Sequence, residues 1–425
     1  MRIRPVIVFG LSAAALLLAA LPAGAGGFAV FEQGSKATGM AGAFTAVATD
    51  ASTVFYNPAG SAFFEETKGA GGVTMVQLNE GLFQGRSPGR AAGTIGEQED
   101  EMDFLPHAFL VKPLSRVAVL GIGAYQPFQL TTEWMAPETF AGRDVATSAD
   151  LSAIDLATTV GLRLSPAWGL GIGVVGRTSD LSLSRRVIRF NPLAREFEDV
   201  ASFDLSTDDE IGVGFTAGVL YKPSNRFGWG LSYRSSIELD YTGAGTLTQI
   251  ETGDEQFDEL IRATLPLDQE LPLTTTVELP EVASVGVAFA LGTQTALSFQ
   301  ADWTGWSSFQ SLPLVFPNDP DFTDVIPQAF DDSVTYRVGF LFQTGGGFEL
   351  RLGYAFDETP QPESTIGPLF AGGDKNIFAA GIGLDWLDIS VEWQQYDDRL
   401  ITSQVDGLNG LYRDNRLVVA VSVAP

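Results

Sequence analysis

The sequence predicts an all-β fold: a transmembrane antiparallel β-barrel of about 14 strands closed around a small N-terminal plug. Three observations predict it. Apolar residues recur with period two through most of the chain. Connections alternate between short and long, the pattern of barrels whose tight turns face the periplasm and whose loops face outward. The chain also opens with a secretory leader.

The leader comes first. Arg2 and Arg4 give a positive start, "VIVFGLSAAALLLAALP" an apolar stretch, and Ala23-Gly24-Ala25 a small-residue cleavage site. Cleavage after Ala25 divides the chain into a leader (1–25), a plug (26–68) and a barrel (69–425). The alternative, an uncleaved anchor, fits poorly with so short an apolar run. Among 425 residues, charged side chains make up 18% and the net charge is −27. That excludes nucleic acid, whose phosphates need a basic footprint. There is no cysteine, hence no disulfide and no thiolate metal site. The one histidine, His107, follows Leu105-Pro106 at a strand start and is read as structural. No G-x-S-x-G and no metal-ligand spacing occurs, so neither an enzyme nor a cofactor is expected. The acidic clusters at 97–103 and 254–259 are read as solvated loop faces, with divalent cations bridging lipopolysaccharide as an alternative.

The strands follow in order. They are predicted near 69–84, 101–112, 116–128, 151–164, 167–186, 207–222, 226–241, 275–291, 294–312, 332–344, 347–357, 374–386, 388–400 and 411–423. "FELRLGYAFD" puts Phe348, Leu350, Leu352, Tyr354 and Phe356 on one face, with Glu349, Arg351 and Asp357 on the other. "KPLSR", "SPA", "KPSNR", "GTQ" and "TGGG" are the short links, each alternating with a long one. Trp168, Trp229, Trp303, Trp386 and Trp393 suit interfacial girdles. Closure is a physical necessity, because hydrocarbon offers no partner to a sheet edge. The lumen face reads as polar and glycine-rich, and so wide a ring needs a plug or is an open pore.

The plug reads "GGFAVFEQGSKATGMAGAFTAVATDASTVFYNPAG", small-residue rich and ending in Asn57-Pro58-Ala59. Asn and Pro together fix a turn. This stretch resembles the N-terminal hatch of the FadL-type family of outer-membrane transporters, which carry long-chain fatty acids, with toluene and other hydrocarbon transporters as relatives. "LPHAFLVKP", "PFQLTTEW", "DWTGWSSFQSLPLVF", "YRVGF" and "LRLGYAFDETP" match further along. The chain departs from such barrels by ending in Pro425 rather than an aromatic residue.

The resemblance implies passive uptake of a hydrophobic small molecule: capture between loops, a lumen pocket against the hatch, and a sideways exit through the third strand. Fatty acids come first and aromatic hydrocarbons second; a structural or adhesive surface protein is the competing class. The protein is expected to be a monomer in the cell outer membrane, touching bilayer and lipopolysaccharide. Phe128, Trp134 and Phe316 are the loop candidates for capture, with Leu130, Met135, Phe140, Leu312, Leu314 and Val315 beside them; packing the loops together is an equal alternative. Phe28, with Phe31, Lys36, Phe55 and Tyr56, is expected at the pocket. A carboxylate head would need a cation. Arg163, Arg234, Arg337 and Arg351 lie on the lumen phase, and Arg337 and Arg351 are chosen, against the alternative of pairing with Asp302, Glu349 or Asp357. Gly121, Gly123 and Pro127 weaken the third strand and mark the exit, unless Pro127 simply ends it.

Overall fold

A computed structural model describes residues 27–86, 95–344, 346–405 and 407–424. The expected leader, the link around 87–94 and Pro425 lie outside them. Fourteen strands form one closed antiparallel meander. They are β1 (Lys68–Arg86), β2 (Met102–Pro113), β3 (Ala118–Glu133), β4 (Ser148–Arg163), β5 (Trp168–Asn191), β6 (Glu196–Thr207 continuing as Glu210–Ser224) and β7 (Phe227–Arg234 continuing as Ile237–Gln249). Then come β8 (Glu270–Leu279 continuing as Val282–Ala290), β9 (Thr295–Thr304), β10 (Ser333–Gln343), β11 (Glu349–Asp357), β12 (Lys375–Gly383), β13 (Leu387–Tyr396) and β14 (Asn409–Val423). Each pairs with the next, and β14 closes onto β1 from Gly71↔Val423 to Arg86↔Asn409. Closure leaves no edge, as hydrocarbon requires.

Alternation sets the two faces. On β11, Leu350 and Leu352 are exposed outward while Arg351 is buried inside. Trp168, Tyr221 and Trp229 cluster near the short turns, with rings of Trp168 and Tyr221 4.3 Å apart. The loops carry more structure than the sequence suggests. β6, β7 and β8 extend well beyond their predicted ends. The acidic run at 254–259 starts a helix, Glu255–Thr264, rather than a featureless loop face. Asp254 caps it by accepting from Gln256 N and Phe257 N, and Phe257 and Ile261 pack on Val200.

Residues 27–67 fill the lumen. Two helical turns, α1 (Ser35–Thr38) and α2 (Thr53–Tyr56), lead into a 3-10 turn at Pro58–Phe63. Wall glycines let this segment come close. A Cβ on Gly121 or Gly123 would meet Val54, on Gly171 the backbone of Pro58-Ala59, on Gly339 Met40, and on Gly353 Ala41. The strands that carry them stand all around the ring.

Candidate functional site

Asn57, Pro58 and Ala59 fasten the plug to the wall. Asn57 is fully buried, and its Oδ1 accepts from Ala59 N at 3.1 Å. Its Nδ2 donates to Thr45 O within the plug (3.0 Å) and to Val219 O of β6 (3.2 Å). Pro58 opens the 3-10 turn, where a missing N–H costs nothing. Val54, Phe55 and Tyr56 precede this cap as one helical turn. Phe55 packs edge-on to Tyr56 and Tyr125, and Tyr56 Oη donates to Phe31 O at 2.5 Å.

Phe28 stands above the plug at the floor of an apolar chamber. Its ring meets those of Trp306 (4.7 Å), Phe309 (5.6 Å), Phe370 and Phe128 (both 6.1 Å). Leu151 of β4, Leu181 and Leu183 of β5, Val277 of β8, and Leu312 and Leu369 from the loops complete its apolar wall. The lumen face is polar around the plug, with Asp155, Arg177, Asp302 and Arg337 buried there, and turns apolar at this level, where the lumen phase of "LSLS" carries leucines. The sequence reading missed Leu181, Leu183 and Val277, although their period-two spacing was visible.

Below Phe28 a second recess runs under Phe31 and Phe128 to Arg177, Arg234 and Ser235. Arg177 is bound bidentately by Asp155, at 2.7 and 2.9 Å, and lies 4.7 Å over the Phe128 ring. Arg234 differs. Its guanidinium sits 3.9 Å over Phe55, and its Nη1 is shut off from solvent with no hydrogen-bond partner. Among the described residues Arg234 has no ion pair.

The other lumen cations are committed. Arg337 donates to Asp302 (2.6 Å) and to Ala41 O of the plug (2.9 Å). Arg351 pairs with Glu349 (2.6 Å) and Asp388. Arg163 donates to Ala62 O and Phe63 O, both at 3.1 Å. Arg337 and Arg351 are thus in the paired arrangement that was the alternative to a head-group role, Arg337 with Asp302 and Arg351 with Glu349. Lys36 is likewise paired, 3.0 Å from Glu349, on the turn side of the plug. Phe31 lies 4.5 Å beneath the Arg337 guanidinium.

Of the loop candidates, Phe128 meets the Phe28 ring and lines the recess beneath it, and Trp134 does neither. Trp134 stacks on Phe140 (4.2 Å), donates to Pro368 O and packs with Phe83 and Tyr412 in a separate cluster. Phe316 lines an outer groove with Phe203, Leu247, Leu271 and Phe322, edged by Arg185, Arg186 and Arg189. These arginines were not singled out from the sequence.

The third strand is irregular, though not at its glycines. Gly121 and Gly123 lie where β3 pairs regularly with both neighbours. Pairing with β2 stops at Ala124, and pairing with β4 skips Gln126 and Pro127. The bared edge is taken up by the N-terminal residues instead: Val30 N donates to Pro127 O (2.8 Å) and Gln129 N to Phe28 O (3.1 Å). Pro127 therefore sits at a bulge, where its missing N–H is tolerated.

Among the described residues no catalytic arrangement accompanies these features. His107 bonds Ser422 Oγ at 3.0 Å and stacks on Phe109. Among the described residues no three His, Cys, Asp or Glu side chains form a metal cluster.

Comparison with known proteins places this architecture. The chain is 25% identical to a long-chain fatty acid transport protein of Salmonella typhi over 363 residues, covering 82% of each chain. Its fold is similar to a crystal structure of a Pseudomonas aeruginosa FadL homologue, with TM-score 0.79 and 22% identity, covering 94% of this chain and 99% of that one. It is also similar to the toluene transporter TbuX of Ralstonia pickettii, with TM-score 0.66 and 16% identity, covering 92% and 98%. Residues 16–396 match the family described as Outer membrane protein transport protein (OMPP1/FadL/TodX). The chain belongs to that family, and is an outer-membrane β-barrel transporter of hydrophobic compounds rather than an enzyme.

Proposed function

We propose that the compound carried is a long-chain fatty acid, held with its carboxylate at Arg234 and its chain in the apolar chamber above Phe28. The observation that carries this reading is Arg234, which has no ion pair among the described residues and whose buried Nη1 has no hydrogen-bond partner, in a recess next to the apolar chamber. A buried cation without a partner is costly, and an incoming carboxylate relieves that cost. The outer groove beside Phe316 supports capture, because Arg185, Arg186 and Arg189 at its edge attract a carboxylate while its floor takes the chain. Passage sideways past β3 is part of the same reading. There the wall's own pairing lapses, and only the N-terminal residues cover the edge.

The aromatic rings of Phe28, Phe309 and Phe370 favour a second reading, a neutral aromatic hydrocarbon. One experiment separates the two. A charge-assisted hydrogen bond contributes about 1.5–3 kcal/mol, roughly a tenfold to hundredfold change in affinity. Arg234→Met should therefore weaken binding of a long-chain fatty acid at least tenfold and leave its methyl ester within about twofold. Equal losses for acid and ester would reject the head-group role. No preference for acid over ester in the unmodified protein would favour the hydrocarbon.

A further inference from the structure

The wall has a second break, away from β3. β6 and β7 pair from the short turn up to Thr216↔Arg234, and again from Thr207↔Gly243 upward. Between these stretches they share no ladder. The seam is closed off at its ends by single bonds: Ser235 N donates to Phe215 O (3.0 Å), and Asp208 N to Thr242 O (2.8 Å). Phe215 N finds Ser235 Oγ (2.9 Å) in place of a backbone carbonyl. β7 and β8 are interrupted together at this level, at Ser235-Ser236 and at Pro280-Glu281.

The seam lies in the membrane. Ile211, Val213 and Phe215 point outward and are 72%, 71% and 53% exposed. Phe215 is six residues above Tyr221 of the aromatic cluster, and Ile211 is ten. At about 3.3 Å per residue and about 40° of tilt, these stand roughly 15 and 25 Å above that cluster. The apolar band is about 25 Å tall, so the seam occupies its outer half. Unpaired backbone in hydrocarbon is normally excluded.

Side chains, not bonds, close the gap. A Cβ on Gly212 or Gly214 would fall against the Ile237 side chain, and one on Gly212 against Leu239 as well. Bare glycines on one strand thus face two aliphatic side chains on the other. The recess under Phe31 that holds Arg177 and Arg234 extends to Phe215, Ser235, Ile237 and Pro280, so it touches this seam from inside.

We propose that the β6–β7 seam is a second side door, joining the lumen recess to the outer leaflet, through which the apolar chain of the ligand passes when Ile237 and Leu239 swing aside. This rests on the uptake of a hydrophobic ligand proposed above, but one test does not depend on it. The chain has no cysteine, so Ile237→Cys creates a single thiol facing the seam. In proteoliposomes a maleimide dissolved in the lipid should label it at no less than a tenth of the rate for outward Val213→Cys. No labelling over hours, with Val213→Cys fully modified, would overturn the proposal whatever the ligand.

The second test is functional. Gly212→Cys with Ile237→Cys should form a disulfide across the seam, since Cβ and side chain already meet there. The rate at which a fluorophore-tagged long-chain fatty acid passes from the protein to quencher-bearing lipid should fall at least threefold on oxidation and recover with reductant. Asp103→Cys with Thr131→Cys, whose native oxygens are 3.1 Å apart, staples the β2–β3 gap in parallel. A slowed rate only with the β2–β3 staple would overturn the second door and leave the uptake reading standing. Unlabelled Ile237→Cys combined with fatty-acid binding would do the same. Should the unmodified protein bind no fatty acid, the uptake reading fails, and maleimide labelling alone decides whether the seam opens.

Discussion

Replacing Asn57 by alanine isolates what the plug motif contributes. The change removes three hydrogen bonds from a fully buried side chain: those from Nδ2 to Thr45 O and Val219 O, and that from Ala59 N to Oδ1. Ala59 N is then orphaned against Gly171, where a Cβ has no room and no acceptor side chain exists. At about 1 kcal/mol net per bond, the plug loses roughly 3 kcal/mol of local stability. Each 1.36 kcal/mol is a factor of about ten, so local opening should become roughly a hundredfold more frequent. Hydrogen exchange in detergent micelles reads this directly. Amides in 45–64 should exchange about a hundredfold faster, while those of β5 and β6 stay protected, since the barrel ladder is untouched. Gly218→Ala attacks the same contact from the wall, because its Cβ would press on Asn57 Oδ1, and should give the same pattern. If Asn57→Ala leaves exchange in 45–64 within threefold of the unmodified protein, the motif does not anchor the plug and the reasoning is wrong.

Two further outcomes follow from charges. Asp155→Asn leaves Arg177 without its bidentate partner beside Arg234; breaking such a buried pair costs about 3–5 kcal/mol. The heat-modifiability midpoint should fall, while the preference for acid over methyl ester rises severalfold; an unchanged preference would show that the recess does not see the head group. Glu101 lies outside the strands; partial burial, and next a shared hydrogen bond and repulsion with Glu133, hold its carboxyl up at about 7. A raised carboxyl pKa favours the structure at low pH, so this contribution is complete below about 4.5 and is lost as pH climbs through 7. Proteolysis or exchange around 97–101 should therefore increase between pH 6 and 8, and Glu101→Gln should abolish that dependence. A flat profile in the unmodified protein would contradict the shared proton.

The ring and its count were legible because burial on one face forces period two, and short turns punctuate it. Partners across the ring were not legible. Arg337 and Arg351 share the lumen phase with Arg234, and nothing local distinguishes them. Only register brings Asp302 to Arg337 and Asp388 to Arg351 while leaving Arg234 without an ion pair among the described residues. The packing of Trp134 with Phe140 and Phe83 was illegible for the same reason: a tryptophan in a loop segment says nothing about which side of the loop it packs. Gly121 and Gly123 were visible as weak points of the third strand, but their smallness serves Val54 of the plug. The β6–β7 seam leaves almost no trace, since "RSSIEL" and "LPEVAS" read as ordinary strand with a modest turn signal.

The two breaks in the wall differ in what must be undone to open them. At β3 the edge is covered by backbone. Val30 N, Gln129 N and Gln33 Nε2 make bonds to Pro127 O, Phe28 O and Gln126 O, and these must be lost or exchanged before a chain can pass. At about 1 kcal/mol each net, and more when left unsatisfied in hydrocarbon, that opening is coupled to movement of the N-terminal segment. At β6–β7 the cover is Ile237 and Leu239 against bare glycines. Moving them off a favoured rotamer costs about 0.5–1.5 kcal/mol per torsion and breaks no hydrogen bond. Phe28 belongs to both arrangements, because its carbonyl holds the β3 edge and its ring floors the chamber. A ligand that displaces Phe28 therefore loosens the β3 cover as it arrives, whereas the seam responds only to what lies against Ile237. On the two proposed routes, occupancy of the chamber would act on the first through backbone bonds, and occupancy of the recess on the second through side-chain packing.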